Sequence, residues 1–198
     1  MKSVKIENNK SPNFIGCWNI DNDELCKNII NFFDNNVSLH QRGITALGLN
    51  EKIKKSTDIT INPSNLKDPK YFLFNDYFSK LNECFSDYKN QYPFIKKFLK
   101  KTHIGHFNIQ KYLSGGHFSN LHSERTGISN LHRIFAWMTY LNNVEDGGTT
   151  DFDYYGIKVK PEIGKTLIWP AEWTHAHTGS ILKSGSKYII TGWIHFAN

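Results

Sequence analysis

A chain of 198 residues, 39% hydrophobic and 14% aromatic, carries enough apolar surface for one packed core without staples. Its net charge of +6, from 24 Lys+Arg against 18 Asp+Glu, is spread along the chain, so a nucleic-acid partner is not expected. The local runs Lys52–Lys55 and Lys96–Lys101 read as solvated faces or, alternatively, as contacts to an anionic partner. Three cysteines, Cys17, Cys26 and Cys84, form no framework spacing and read as free thiols of a reducing compartment. No apolar run approaches the roughly 20 residues that cross a bilayer. The opening MKSVKIENNK has no apolar stretch of signal-peptide type. A soluble, cytoplasmic protein without membrane contact is therefore expected.

In chain order, Asp21–Phe33 reads as a helix. Asp21 stands as its cap, Glu24 lies in capping-box spacing, and Leu25, Ile29, Ile30 and Phe33 recur at helical intervals. A polar stretch from about Asn35 to Pro69 reads as loops with short strands at Gly43–Leu49 and Asp58–Ile61. Its Lys-rich part, Gly48–Asn65, reads as a surface loop or as a cover over a substrate. Phe74–Lys89 is a second helix, with Phe74, Tyr77, Phe78, Leu81, Phe85 and Tyr88 in one stripe. Pro93 interrupts it, and Phe94–Phe98 adds a turn. From Ile104 the character changes to short β-rich runs between Gly, Pro, Asn and Asp turns: Ile104–Leu113, Ile134–Leu141, Gly156–Lys160, Thr166–Trp169 and Lys187–Phe196. Helices first and strands after give an α+β class with a double-sheet β core, the N-terminal helices (about 17–100) supporting a β core (about 104–196) in a single domain. The last run is apolar on both faces, with Lys187, Ile189, Thr191, Trp193 and His195 on one side and Tyr188, Ile190, Ile194 and Phe196 on the other, as in a strand packed from both sides.

Among nine histidines, two groups stand out. His122 and Glu124 are one residue apart, so in extended structure they share a face and can converge on one ion. His175 and His177 have the same relationship. Two histidines and one carboxylate leave positions open on an ion, which suits non-haem iron(II). A His-x-Glu pair alone is also common at ordinary surface turns. Lys187, on an inward face, needs an anion to offset its burial unless it lies at the strand's edge and reaches water.

The pieces KYLSGGHFSNLHSE, RIFAWMTYLN, GGTTDF, KPEIGKTLIWP, HAHTG and GSKYIITGW follow one another in the order and spacing of a known family. From Ile109 to Ile194 the chain resembles the 2-oxoglutarate/iron(II)-dependent dioxygenases, within them the prolyl-4-hydroxylase-like branch. The resemblance implies a double-stranded β-helix (jelly-roll) core with N-terminal helices packed on one sheet. It implies iron held by His122, Glu124 and a distal histidine ten residues before the basic residue, which selects His177 over His175. It implies Lys187 on the far carboxylate of 2-oxoglutarate, Tyr112 and Tyr140 bonding that cosubstrate, and Trp193 near the substrate side. Dioxygen is the implied oxidant, with ascorbate as a supporting reductant. The implied reaction is hydroxylation of an unactivated C–H bond, first of all in a prolyl residue of a peptide or protein, otherwise in a free amino acid or other small molecule. A non-catalytic metal-binding jelly roll is the alternative outside catalysis. One departure stands out: members of the family usually have Asp where this chain has Glu124, one methylene longer. Halogenating members resemble this pattern with a small residue there, so an acid at 124 points to hydroxylation.

Overall fold

The computed structural model describes residues 12–45 and 48–197. Residues 1–11, read above for a signal-type stretch, and 46–47 lie outside them. In chain order the strands are β1 (Gly16–Asn19), β2 (Gln41–Arg42), β3 (Lys54–Lys55), β4 (Thr57–Ile61), β5 (Thr102–Ile104), β6 (Phe107–Leu113), β7 (His117–His122), β8 (Arg133–Tyr140), β9 (Thr150–Phe152), β10 (Ile157–Val159), β11 (Lys165–Pro170), β12 (His177–Gly179) and β13 (Ser186–Phe196). The helices are α1 (Asp23–Asn35), α2 (Leu73–Gln91) and α3 (Phe94–Phe98). The strands form two antiparallel sheets. The larger runs β1-β11-β8-β13-β6-β4-β2, with β5 added on β13; the smaller runs β10-β9-β12-β7-β3. No helix among the described residues is long and apolar enough to cross a membrane.

β13 organises the larger sheet because both of its faces are apolar. Tyr188, Ile190 and Ile194 join one buried cluster with Ile29 and Phe33 of α1 and with Phe74, Tyr77 and Leu81 of α2. Ile189 joins a second cluster with Tyr112, Tyr140, Phe152 and Trp169, against which Trp193 packs. Phe74 meets Phe107 edge-on at 5.4 Å, and Tyr88 meets Phe135 at 5.3 Å. The Tyr77 hydroxyl reaches the Thr139 hydroxyl at 2.8 Å, so a buried polar tip of the helix is satisfied by the sheet.

Several expectations change in detail. The cap of α1 is Asn22, whose side chain accepts from the Leu25 amide at 3.0 Å; Asp21 instead sits at φ 48° in the turn before it. Of the expected strand Gly43–Leu49, residues 46–47 lie outside the described ones, and the others form an isolated bridge between Thr45 and Gly48 in place of a strand. Ile104–Leu113 divides into β5 and β6 at Gly105, where a Cβ would lie 2.6 Å from the His195 ring. Phe196 is exposed rather than packed, beyond a register shift between Ile194 and His195. Lys54 is not a solvated residue: it is 4% exposed and paired with Asp58.

Candidate metal centre and cosubstrate pocket

The smaller sheet brings the paired motifs together. β12 runs antiparallel to β7 with His177 directly opposite His122, and cross-strand neighbours have Cβ atoms about 5 Å apart. Glu124, two residues beyond His122, returns to the same face. One ligating atom each from His122, Glu124 and His177 lies within 4.8 Å of the others. Glu124 Oε1 is 3.8 Å from His122 Nε2 and 3.5 Å from His177 Nε2. His175 points elsewhere, with Nε2 2.8 Å from the Asn13 carbonyl and Nδ1 3.0 Å from the Thr174 hydroxyl.

Hydrogen bonds fix the tautomers of the two converging rings. His122 Nδ1 lies 2.8 Å from the Asn120 carbonyl, and His177 Nδ1 lies 2.9 Å from the His175 carbonyl. A carbonyl only accepts, so each Nδ1 donates; in the neutral ring Nε2 then keeps a lone pair aimed at the centre, and in the protonated ring it faces Glu124 as a donor. Burial, reinforced by the neighbouring His177, pushes the His122 pKa down to about 4, against the pull of Glu124. Burial alone would raise Glu124. The hydrogen bond from His177, the charges of both histidines and the Trp193 hydrogen bond outweigh it and leave the carboxyl at about 2. At neutral pH the donor set therefore includes an ionised carboxylate and a neutral imidazole, the forms that bind a cation. Phe118 stacks on His122 at 3.8 Å, and Phe152 and Trp169 lie 5.5 and 5.1 Å from His177.

Lys187 lies on the same face of β13 as Ile189 and Trp193 and is 4% exposed. Its ammonium donates to the Gly148 carbonyl at 2.9 Å and sits 4.5 Å over the Tyr112 ring. Burial lowers its pKa to about 8, with Asp151 pulling the other way. Among the described residues no carboxylate comes within ion-pair distance of it, so the reading in which it reaches water at a strand edge does not hold. The Tyr112 hydroxyl donates to Gln110 Oε1 at 2.7 Å, and the Tyr140 hydroxyl donates to Thr150 Oγ1 at 2.6 Å. Burial pushes both phenols upward, so they remain donors. β9 links Lys187 to the candidate metal centre: Gly148, just before the strand, accepts from Lys187, and Phe152, at its end, pairs with His177.

Trp193 lies against the carboxylate. Its indole Nε1 donates to Glu124 Oε2 at 2.8 Å, and the Arg133 guanidinium stacks on it at 3.6 Å. Arg133 also donates to the Glu124 carbonyl at 3.1 Å. Arg133, Phe118 and Lys54 escaped the sequence reading. For Arg133 the only signal was a lone cation opening an otherwise apolar strand.

Residues 107–195 match the 2OG-Fe(II) oxygenase superfamily. Probable prolyl 4-hydroxylase 9 of Arabidopsis thaliana is 28% identical over 122 residues, covering 48% of this chain and 42% of that one. Prolyl 4-hydroxylase subunit alpha-1 of Homo sapiens is 27% identical over 71 residues, covering 32% of this chain and 13% of that one. The chain thus spans less than half the length of these curated relatives. In structure it is similar to the 2OG complex of the viral collagen prolyl hydroxylase of Paramecium Bursaria Chlorella virus-1, with a TM-score of 0.68, 18% identity and coverage of 93% and 97%. It is similar also to a Trichoplax adhaerens prolyl hydroxylase in complex with a hypoxia inducible factor peptide fragment, with a TM-score of 0.70, 14% identity and coverage of 93% and 84%. The fold is that of prolyl-hydroxylase-like oxygenases: two antiparallel sheets with few helices. Over residues 107–195 the chain is thus similar to the 2OG-Fe(II) oxygenase superfamily, and its relatives point to the prolyl-4-hydroxylase-like branch.

Proposed function

We propose that this protein is an iron(II)- and 2-oxoglutarate-dependent dioxygenase that hydroxylates a prolyl residue of a peptide or protein. The observation that carries this reading is the convergence of His122, Glu124 and His177 within 4.8 Å, joined through β9 to Lys187, a buried lysine with no ion-pair partner among the described residues. In this reading the chain is a single domain with a double-stranded β-helix core, and α1 and α2 brace its larger sheet. His122, Glu124 and His177 are the ligands, and the hydrogen-bonded Nδ1 atoms orient both rings as a metal site requires. Bound iron with 2-oxoglutarate supplies the oxidative chemistry that couples decarboxylation to C–H hydroxylation with dioxygen.

The chain's own groups position and exclude. Lys187 neutralises the far carboxylate of the cosubstrate through a charge-assisted contact in a dry pocket. The Tyr112 and Tyr140 hydroxyls, which donate to Gln110 and Thr150 in the free protein, would turn to the cosubstrate when it binds. Phe152, Trp169 and Met138 form an apolar wall that keeps water from the centre. The prolyl substrate rests on the relatives: collagen prolyl hydroxylase by name in the viral protein, and a bound peptide fragment in the Trichoplax one.

Anaerobic addition of iron(II) and 2-oxoglutarate should give a weak visible charge-transfer band, absent in His122→Ala and in His177→Ala. Admitting oxygen should yield succinate, and a Pro-rich peptide library should contain members heavier by one oxygen atom. Metal binding without oxygen-dependent succinate, across the library and free amino acids, would overturn the catalytic reading.

A further inference from the structure

Glutamate has one more rotatable bond than the aspartate that the family resemblance implies at this position, so a Glu ligand loses more freedom on being fixed. Position 124 answers this with contacts at three points. Glu124 Oε1 faces the two imidazoles, at 3.8 and 3.5 Å. Oε2 accepts from the Trp193 indole at 2.8 Å and lies 3.8 Å from Arg133 Nη1. The main-chain carbonyl accepts from Arg133 at 3.1 Å, and the same guanidinium lies flat on the indole at 3.6 Å. The two carboxylate oxygens thus have separate tasks, one turned to the ligand histidines and one tied to the indole.

We infer that Trp193 and Arg133 are positioning residues: a clamp that fixes the longer Glu124 side chain in the conformation presenting a single oxygen to the metal. This rests on the metal-centre reading above. The clamp works through geometry. Trp193 removes the freedom of the carboxylate about its last bonds, and Arg133 fixes both the indole plane and the Glu124 backbone. With Oε2 occupied, Glu124 binds through Oε1 alone, and further positions on the ion stay open for the cosubstrate. A shorter aspartate at 124 would retract from the indole, the ring, or both, so the clamp is matched to glutamate.

The test measures Co(II) affinity of the full-length apoprotein by calorimetry. Trp193→Phe keeps an aromatic face for Arg133 and removes only the N–H. It should weaken Co(II) binding by about tenfold, the lower end of losses for residues that orient a metal ligand. In a Glu124→Asp background the same change should cost less than about twofold, because the contact it removes is already disrupted. Equal losses in both backgrounds, or affinity within twofold of wild type for Trp193→Phe alone, would overturn the clamp. A second readout needs no substitution: in the Zn(II)-loaded protein, the Trp193 indole N–H should exchange slowly with solvent, and rapid exchange would also sink the idea. Failure of wild type to bind metal, with His177→Ala no different, overturns the metal-centre reading and the clamp with it. Binding by wild type that is lost in His177→Ala keeps that reading whatever the clamp does.

Discussion

Lys187 shows what one residue contributes. Its ammonium is buried with a neutral carbonyl and an aromatic face for company, and desolvation brings its pKa to about 8. A bound carboxylate would favour the charged form, so the pKa must be higher in the complex than in the free protein. Affinity for 2-oxoglutarate should therefore be flat below pH 8 and fall as pH rises through that value, until the pKa of the complex is passed. Lys187→Ala should raise the 2-oxoglutarate dissociation constant by about 100-fold, as expected when one member of a buried charge pair is truncated, while Co(II) affinity stays unchanged. A parallel loss of metal would place Lys187 in the fold rather than in the pocket. The inward face of Lys187 was legible because strict alternation ties it to Ile189 and Trp193. Arg133 and Lys54 were not legible. What accompanies half-buried Arg133 is a stacked indole, and what accompanies buried Lys54 is a carboxylate four residues on; neither partner is marked by periodicity.

At the level of elements, the strands that build the large sheet were readable and those that carry the candidate metal ligands were not. β8, β11 and β13 are apolar and long enough for pattern to speak. β7 reads HFSNLH, and its side chains are half-buried or exposed; β9 and β12 have three residues each. Polar character here follows from position, because a strand that faces a metal centre carries ligands where a core strand carries Ile or Val. The tight packing of β13 can be tested at Gly192. A Cβ there would stand 2.6 Å from Trp137 Cζ2 and 3.0 Å from Phe107 Cβ, and both rings are fully buried. Gly192→Ala should destabilise the protein by about 1–3 kcal/mol through overpacking, seen as a lower urea midpoint at unchanged m-value. An unchanged midpoint would mean that the helix-side cluster yields more readily than its burial implies.

On the scale of the whole molecule, the two sheets must be held in register about the candidate metal centre. Part of what holds them lies in the polar segment read from sequence as loops with a short strand at Asp58–Ile61, which the structure extends to β4 and precedes with β3. β3 pairs with β7 in the smaller sheet, and β4 pairs with β6 in the larger one, with Ser56 alone between them. The corner is closed by Lys54 Nζ on Asp58 Oδ2 at 2.5 Å and by the Ser56 hydroxyl on Asp58 Oδ1 at 2.7 Å. Lys54 also lies 5.7 Å over the Phe118 ring, the ring that stacks on His122. Lys54 is 4% and Asp58 7% exposed, so neither charge has water to fall back on. Removing one partner should cost more than the pair contributes, since the other is left buried and uncompensated. Lys54→Met should therefore lower stability by about 3–5 kcal/mol, which at about 2–4 °C per kcal/mol for a domain of this size is a fall in Tm of roughly 6–20 °C. Replacing both, Lys54→Met with Asp58→Leu, should recover most of that loss, because two apolar side chains need no counter-charge in a dry corner. If the double variant melts no higher than the single one, the pair contributes specific geometry to the β3–β4 crossing rather than mutual neutralisation. The His122 ring behind Phe118 would then lose order as well, visible as weaker Co(II) binding measured well below Tm.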